Sequence, residues 1–227
     1  MLAEDLTSLE VLPAYELAPG KPIVARLIGR RFEQVLDGRF EKPFDPRFGK
    51  MMVKTLSHLC GALGASYGYA ERWELSLYAV SQGGEARRLL SRICGEAAAK
   101  MSLLLGQIAT FEGRLYQFES NEKAYEYFEW RMAQAEGAAL DSHCQHVLVV
   151  NGAEPTAAVQ VVQGSSPEEK VELLRQNSVE FERLPGWQRH GTGVYLVNDE
   201  AASMRMVIDL NLPDPAEYPG FLRRVIV

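Results

Sequence analysis

The sequence lacks the features of a membrane or secreted protein. It has no apolar run of about 18 residues, so we expect no membrane-spanning helix and no membrane partner. Its first residues include Glu4 and Asp5 instead of a basic leader. The three cysteines, Cys60, Cys94 and Cys144, are widely spaced and form no C-x-x-C pair, which argues against a zinc site and favours a reducing compartment. We therefore expect a cytoplasmic protein.

Basic residues are also fewer than acidic residues. The chain has 24 Lys and Arg against 30 Asp and Glu, a formal net charge of -6, so any contact with nucleic acid requires a local basic patch. The 227 residues, 47% of them hydrophobic, suffice for one large domain or two small ones. We expect residues 1–150 to form the main domain. A helical segment and a strand pair in residues 151–227 should pack on it as one structural unit.

The stretch from Lys21 to Val80 predicts a strand, a helix and a hairpin. Residues 22–27 are apolar and rich in β-formers, and Asp45-Pro46 is a typical start for a helix that ends at Gly64. Residues 66–70 and 73–80 alternate as the two strands of a hairpin do. This βαββ order is the first half of a ferredoxin-like unit.

The remaining chain predicts further helices and strands around an antiparallel sheet. Gly137 is a weak point in the longest helix, because glycine lowers helix stability. We expect an α+β fold with helices on one face of the sheet and a helical C-terminal portion. The predicted elements are a helix over 85–106, a strand over 108–118, a helix from 122 to about 150, helices over 156–163 and 165–177, and strands over 194–197 and 204–209 joined through Asn198-Asp199-Glu200.

Five short segments resemble motifs of one known family. They are RLIGRRF (26–32), FEKP (40–43), GYAERWELS (68–76), FEGR (111–114) and YFEWR (127–131). In their order and spacing, over roughly residues 15–196, the chain resembles the tRNA(His) guanylyltransferase family. The resemblance implies an antiparallel ferredoxin-like polymerase palm with flanking helices. It also implies an activity that adds nucleotides to RNA 5′ ends in the 3′-to-5′ direction.

The chain departs from this family where the metal ions of the palm are expected. Ile28 and Trp73 stand where the family has metal-binding aspartates, and of the neighbouring acids only Glu74 remains. Magnesium prefers oxygen ligands, but isoleucine has none and an indole offers only an N–H donor. Glu74, helped by a carbonyl group near Gly29, is the weak candidate that is left.

A relocated pair of carboxylates is a further hypothesis for metal binding. Glu71 and Glu74 belong to the predicted hairpin and are three residues apart. In a regular strand, this spacing places two side chains on opposite faces. We therefore do not expect Glu71 and Glu74 to bind one ion together.

The resemblance assigns nucleotide or RNA binding to several basic residues. For each of them, the alternative is a solvated charge or an ordinary ion pair, and core packing explains the aromatic residues around Arg131. The candidates are Arg30, Arg31, Lys42, Arg88, Arg92, Arg131 and Lys170.

Three functional hypotheses follow from these patterns. The first is a divergent family member that has lost two-metal nucleotidyl transfer, needs no cofactor and still binds GTP, ATP, tRNA or another RNA. The second is an active nucleotidyltransferase that holds Mg²⁺ in a rearranged site. The third is a non-catalytic module for oligomerisation or partner binding, as a dimer or tetramer or with an active paralogue.

Overall fold

The computed structural model describes residues 14–198 and 204–226. Asp199 and Glu200, predicted to join the last two strands, lie outside them. The strands are β1 (Glu16–Leu17), β2 (Pro22–Gly29), β3 (Tyr67–Glu71), β4 (Glu74–Val80), β5 (Gly84–Glu85), β6 (Phe111–Gln117), β7 (Thr192–Asn198) and β8 (Met204–Asp209).

Along the chain, the helices lie between these strands and after the last one. A 3₁₀ turn, Phe181–Arg183, lies between the sixth and seventh helix. None of the helices in the described ranges is long and apolar enough to cross a membrane. The helices are α1 (Phe32–Leu36), α2 (Pro46–Leu63), α3 (Ala86–Leu105), α4 (Asn121–Val150), α5 (Pro155–Gly164), α6 (Pro167–Gln176), α7 (Gly186–Arg189) and α8 (Tyr218–Val225).

Six strands form one antiparallel sheet in the order β6-β2-β4-β3-β7-β8. In the register of β2 with β4, Pro22 lies opposite Val80 and Ile28 lies opposite Glu74. The residues of β4 next to the hairpin turn therefore lie beside the last residues of β2, at the same end of the sheet. The predicted α+β class and the predicted hairpin are confirmed.

The two faces of the sheet support separate cores. On one face, Ala25 and Leu27 of β2 and Leu75 of β4 pack with residues of α2 and α3. On the other face, Val24 and the interior tyrosines pack with residues of α4 and α8. The prediction of helices on one face was wrong, because β4 carries Leu75 and Leu77 on one face and Tyr78 on the other, so each face must be covered.

The C-terminal residues are part of the same sheet. β7 pairs with β3, with Gly193 opposite Tyr69. The hydroxyl groups of Tyr67 in β3 and Tyr218 in α8 lie 2.6 Å apart in the core. The helix α8 was not predicted from the sequence. The helix α4 runs through Gly137 without a break.

The start of α2 is capped by the side chain of Asp45. The carboxylate of Asp45 accepts hydrogen bonds from the backbone N–H of Arg47 at 2.7 Å and of Glu41 at 2.9 Å. The Arg47 guanidinium also contacts it, and this hydrogen bond holds the pKa of Asp45 well below its usual range.

We expect Asp45→Ala to lower the free energy of unfolding by about 1–3 kcal/mol at neutral pH, because it removes a buried cap and its ion pair. The loss should shrink as the pH falls toward the pKa of Asp45, since protonation removes the same contacts in the unmodified protein. Urea denaturation at several pH values measures both effects. Asp37→Ala is the matched control: its ion pair with Lys42 is exposed, and we expect a change within about 0.5 kcal/mol.

Candidate functional site

The tip of the hairpin places two carboxylates side by side. Arg72 and Trp73 form the turn, and Arg72 has a positive φ of 45°. Glu71 and Glu74 are directly paired across the two strands. The prediction that they lie on opposite faces was wrong, because residues paired across a hairpin share a face whatever their spacing in sequence.

Two arginines neutralise these carboxylates. Nη2 of Arg131, in α4, donates to Oε1 of Glu71 at 2.6 Å and to Oε2 of Glu74 at 2.9 Å. Nε and Nη2 of Arg26, in β2, each lie 2.7 Å from the same oxygen of Glu74. Arg26, Glu71, Glu74 and Arg131 therefore form an ion cluster in which two positive charges balance two negative charges.

Strand register and helix placement bring the members of the ion cluster together. Arg26 and Ile28 are two residues apart in β2, so their side chains lie on the same face of the sheet, which is the face that α4 covers. Trp130 precedes Arg131 in α4, and its ring lies 5.5 Å from the guanidinium carbon of Arg26 and 5.3 Å from that of Arg131. The indole ring thus makes cation–π contacts with both guanidinium groups.

The ion cluster is buried but not fully bonded. The side chain of Arg131 is 3% exposed and that of Glu71 is 9% exposed. Burial raises the pKa of the Glu71 carboxyl, and the charge of Arg131 opposes this rise without cancelling it. Within the described residues, Oε2 of Glu71 and Nε of Arg131 have no hydrogen-bond partner.

Ile28 and Trp73 do not offer ligands for a metal ion. Ile28 lies opposite Glu74 on one side and Glu112 on the other. Trp73 packs against the core of the α2 face, and the guanidinium carbon of Arg72 lies 4.2 Å from the centre of its ring. The N–H of Gly29 donates to the carbonyl of Trp73 at 2.9 Å.

These side chains do not fit the metal pair that the family resemblance implies. Two of the expected ligand positions carry no oxygen, and the nearby carboxylates are already bound to guanidinium groups. Among residues 14–198 and 204–226, no group of three or more His, Cys, Asp or Glu side chains could hold a metal ion.

A cavity of about 450 Å³ adjoins the hairpin tip. It lies between the start of α2, the end of α4 and the short helix α7. Its polar lining includes Lys42, Asp45, Glu71 and Arg72. Most of the wall is apolar or aromatic, including Phe40, Phe44, Phe48, Met52, Val159 and Trp187. Such a lining, with few polar groups, is typical of a small-molecule site.

The predicted basic residues do not converge on one place. Lys42 lines the cavity and pairs with Asp37 at 2.8 Å. Arg30 pairs with Glu112, and both side chains are about half exposed. Arg31 is exposed and has a φ of 56°.

Arg88 and Arg92 belong to α3, which begins after the opposite end of β4. Both are exposed, and Arg88 pairs with Glu85 at 2.9 Å. Lys170 is only 15% exposed and pairs with Asp141 at 2.8 Å. The burial and ion pairs of Lys170 and Arg131 argue against a direct contact of either side chain with phosphate.

Several residues of this site were not predicted from the sequence. Arg26 and Arg72 stand inside the quoted motifs, and the position of Arg72 directly after Glu71 was a usable signal. Trp187 follows Glu71 by more than a hundred residues and shows no pattern that would place it in the cavity.

Comparison with known proteins identifies the family. The family model described as tRNAHis guanylyltransferase matches residues 4–135. An uncharacterised protein of Acanthamoeba polyphaga mimivirus is 22% identical over 84% of this chain and 75% of its own length. The tRNA(His) guanylyltransferase 1 of Arabidopsis thaliana is 24% identical over 81% of this chain, which spans 35% of that protein.

Solved structures show the same fold at low sequence identity. A bacterial tRNA(His) guanylyltransferase-like protein in complex with ATP has a TM-score of 0.80 at 17% identity, with full coverage of both chains. Its complex with GTP has a TM-score of 0.78 at 18% identity and covers 100% of this chain and 99% of that one. The Saccharomyces cerevisiae enzyme has a TM-score of 0.73 at 16% identity, covering 90% of this chain and 95% of its own. Because the family model covers more than half of the chain, the chain belongs to the tRNA(His) guanylyltransferase family.

Proposed function

We propose that this chain binds a nucleoside triphosphate or an RNA 5′ end and does not carry out metal-dependent nucleotidyl transfer. The observation that carries the proposal is the ion cluster at the hairpin tip. Its carboxylates are bound to Arg131 and Arg26, and it has no net charge to attract a divalent cation. Two-metal transfer depends on ions that bridge the reacting oxygens, and Ile28 and Trp73 cannot ligate them.

The cavity beside the hairpin supports the binding part of the proposal. Its aromatic and apolar walls suit a flat base, and Lys42 and Arg72 bring positive charge to the same wall. The related bacterial protein forms complexes with ATP and with GTP. We infer that the countercharge for the phosphates comes from Lys42 and Arg72, the Lys and Arg side chains of this lining.

Calorimetric titration with GTP and ATP tests this proposal. We expect dissociation constants in EDTA to lie within about threefold of those in magnesium, because side chains provide the countercharge. Lys42→Met should weaken binding by about three- to tenfold, whereas Arg92→Met, in an exposed part of α3, should leave it unchanged. Binding that requires magnesium would contradict the proposal.

One observation favours the hypothesis of a rearranged metal site. Glu71 and Glu74 share a face of the hairpin and are close enough to contact the same arginine. The guanidinium of Arg131 lies between them, however, and a metal ion would have to displace it. We therefore keep the binding function as the proposal.

We also propose that the described parts of residues 1–150 and 151–227 form one structural unit. The pairing of β3 with β7 and the core shared by α4, α5 and α6 support it. A homo-oligomer is proposed as well, since the edge strand β8 exposes Met204 and Ile208.

A further inference from the structure

The two edge strands of the six-stranded sheet differ in what they expose. β6 forms one edge, and its exposed side chains are the charged Glu112 and Arg114. β8 forms the other edge, where Met204 is 66% exposed and Ile208 is 51% exposed. Charged side chains on an edge strand hinder pairing with another chain, whereas an exposed apolar edge favours it. β8 is therefore the edge that suits a further strand.

The backbone of β8 is paired on one side. Its residues, Met204–Asp209, lie opposite residues 193–198 of β7. Within residues 14–198 and 204–226, no other strand pairs with β8. Its free side thus presents a row of N–H and C=O groups, and a strand added there would satisfy them with main-chain hydrogen bonds.

The side chains of β8 alternate between an apolar face and a charged face. Arg205 and Asp209 share the charged face, two residues before and two residues after Val207. Arg205 is exposed, and Oδ2 of Asp209 accepts from the hydroxyl of Tyr195 at 3.2 Å. The strand is therefore symmetric about Val207, with opposite charges at equal distances from it. The apolar face, on the side of the α2 core, consists of Met204, Met206 and Ile208.

We propose that β8 pairs antiparallel with β8 of a second copy of this chain, with Val207 on the two-fold axis. The inference deepens the homo-oligomer proposed above, because it names the surface and the register of the contact. In this register Arg205 lies opposite Asp209 of the partner subunit, and Asp209 lies opposite the partner's Arg205. The two six-stranded sheets then form one continuous sheet.

Charge complementarity identifies a second copy as the partner and fixes the register. Opposite charges directly across two strands stabilise their pairing, and the two-fold axis creates two such pairs at once. The same register places Met206 opposite Ile208 of the partner subunit, so apolar side chains meet on the other face. With Met206 or Ile208 on the axis instead, Arg205 no longer faces Asp209 and both ion pairs are lost.

Sedimentation equilibrium of charge variants tests the contact. Arg205→Asp places two acids opposite each other at both pairs, so we expect the dissociation constant of the dimer to rise at least about tenfold. Combining Arg205→Asp with Asp209→Arg exchanges the charges and restores both ion pairs. The combined variant should return to within about threefold of the unmodified protein. Arg114→Asp, at an exposed position of β6, is the matched control and should leave the dimer unchanged.

A cysteine on the axis tests the register. Residues directly opposite each other in an antiparallel pair have Cα atoms about 4.5–5.5 Å apart, within the range of a disulfide. Val207→Cys should therefore give a covalent dimer under mild oxidation. Met204→Cys should not, because the two substituted positions would lie about 20 Å apart. The unmodified protein, with its three native cysteines, gives the background.

The outcomes separate this inference from the homo-oligomer itself. If the protein dimerises but Arg205→Asp does not weaken the dimer, or the exchange of charges does not restore it, another surface forms the contact and only the assignment to β8 fails. A covalent dimer of Met204→Cys without one of Val207→Cys would refute the register. If the unmodified protein is monomeric at every concentration measured, both the homo-oligomer and the assignment fail. Thermal unfolding of each variant confirms that it is folded during sedimentation.

Discussion

Replacing Arg131 by Met should lower the free energy of unfolding by about 3–5 kcal/mol at pH 7. Removing one partner of a buried ion pair leaves the opposite charge uncompensated, and losses of this size are typical. Here Glu71 would lose its ion-pair partner, while Glu74 would keep Arg26. Urea denaturation followed by circular dichroism measures the change. Arg114→Met, on an exposed position of β6, is the control and should stay within about 0.5 kcal/mol.

The loss from Arg131→Met should depend on pH in a defined direction. Burial already raises the pKa of Glu71, and without Arg131 nothing comparable opposes that rise. An acid with a higher pKa in the folded state stabilises the fold when protonated, and this contribution is lost as the pH rises through the folded pKa. The penalty should therefore be smaller at pH 5 than at pH 7. A penalty that is constant over this range would contradict the assigned cause.

A double variant isolates the interaction between Arg131 and Glu71. Arg131→Met with Glu71→Gln removes one charge of each sign and leaves the pair of Arg26 with Glu74 intact. We expect it to be about 2 kcal/mol more stable than Arg131→Met alone, because no buried carboxylate remains without a cation. If the two substitutions are simply additive, the ion cluster does not couple these residues.

The combined substitution Ile28→Asp and Trp73→Asp should introduce magnesium-dependent nucleotide addition to a tRNA 5′ end. It returns carboxylates to both positions where the family resemblance places metal ligands. We expect a rate at least about a hundredfold above that of the unmodified protein, because bound metal ions lower such barriers by several kcal/mol and 1.36 kcal/mol is tenfold in rate. Incorporation of labelled GTP into tRNA measures this rate.

The matched control for this gain is Ile28→Asn with Trp73→Asn. It reproduces the size of the new side chains without their charge, and it should remain inactive. Trp73 packs on the core of the α2 face, so both double variants should lose stability by roughly 2–4 kcal/mol. If the aspartate variant is folded and still inactive, the two positions are not sufficient to explain the missing chemistry.

Local signals in the sequence predicted much of the fold. Asp45-Pro46 marked the start of α2, and Asp45 caps that helix as expected. Ser166 with Glu169 forms a capping box at α6, in line with the serine, proline and acids at its start. The hairpin was predicted from the alternating residues of its two strands. These features depend on neighbouring residues alone, which is why a single sequence reveals them.

The site was harder to predict because it depends on distant residues. Their spacing along a single strand predicted that Glu71 and Glu74 lie on opposite faces, whereas pairing across the hairpin places them on the same face. Arg131 was predicted to contact a ligand on the family resemblance, and nothing in its own segment shows that α4 would cross the hairpin tip and bury it. Gly137 was expected to weaken α4, but packing on both sides of that position keeps the helix continuous.

The most direct test of the central claim is nucleotide addition by the unmodified protein. The protein is incubated with tRNA, labelled GTP and magnesium, and label at the RNA 5′ end is followed over time. We predict no incorporation above a sample without protein, because guanidinium groups hold the carboxylates at the hairpin tip and Ile28 and Trp73 cannot replace them. Sustained incorporation that requires magnesium would contradict this account.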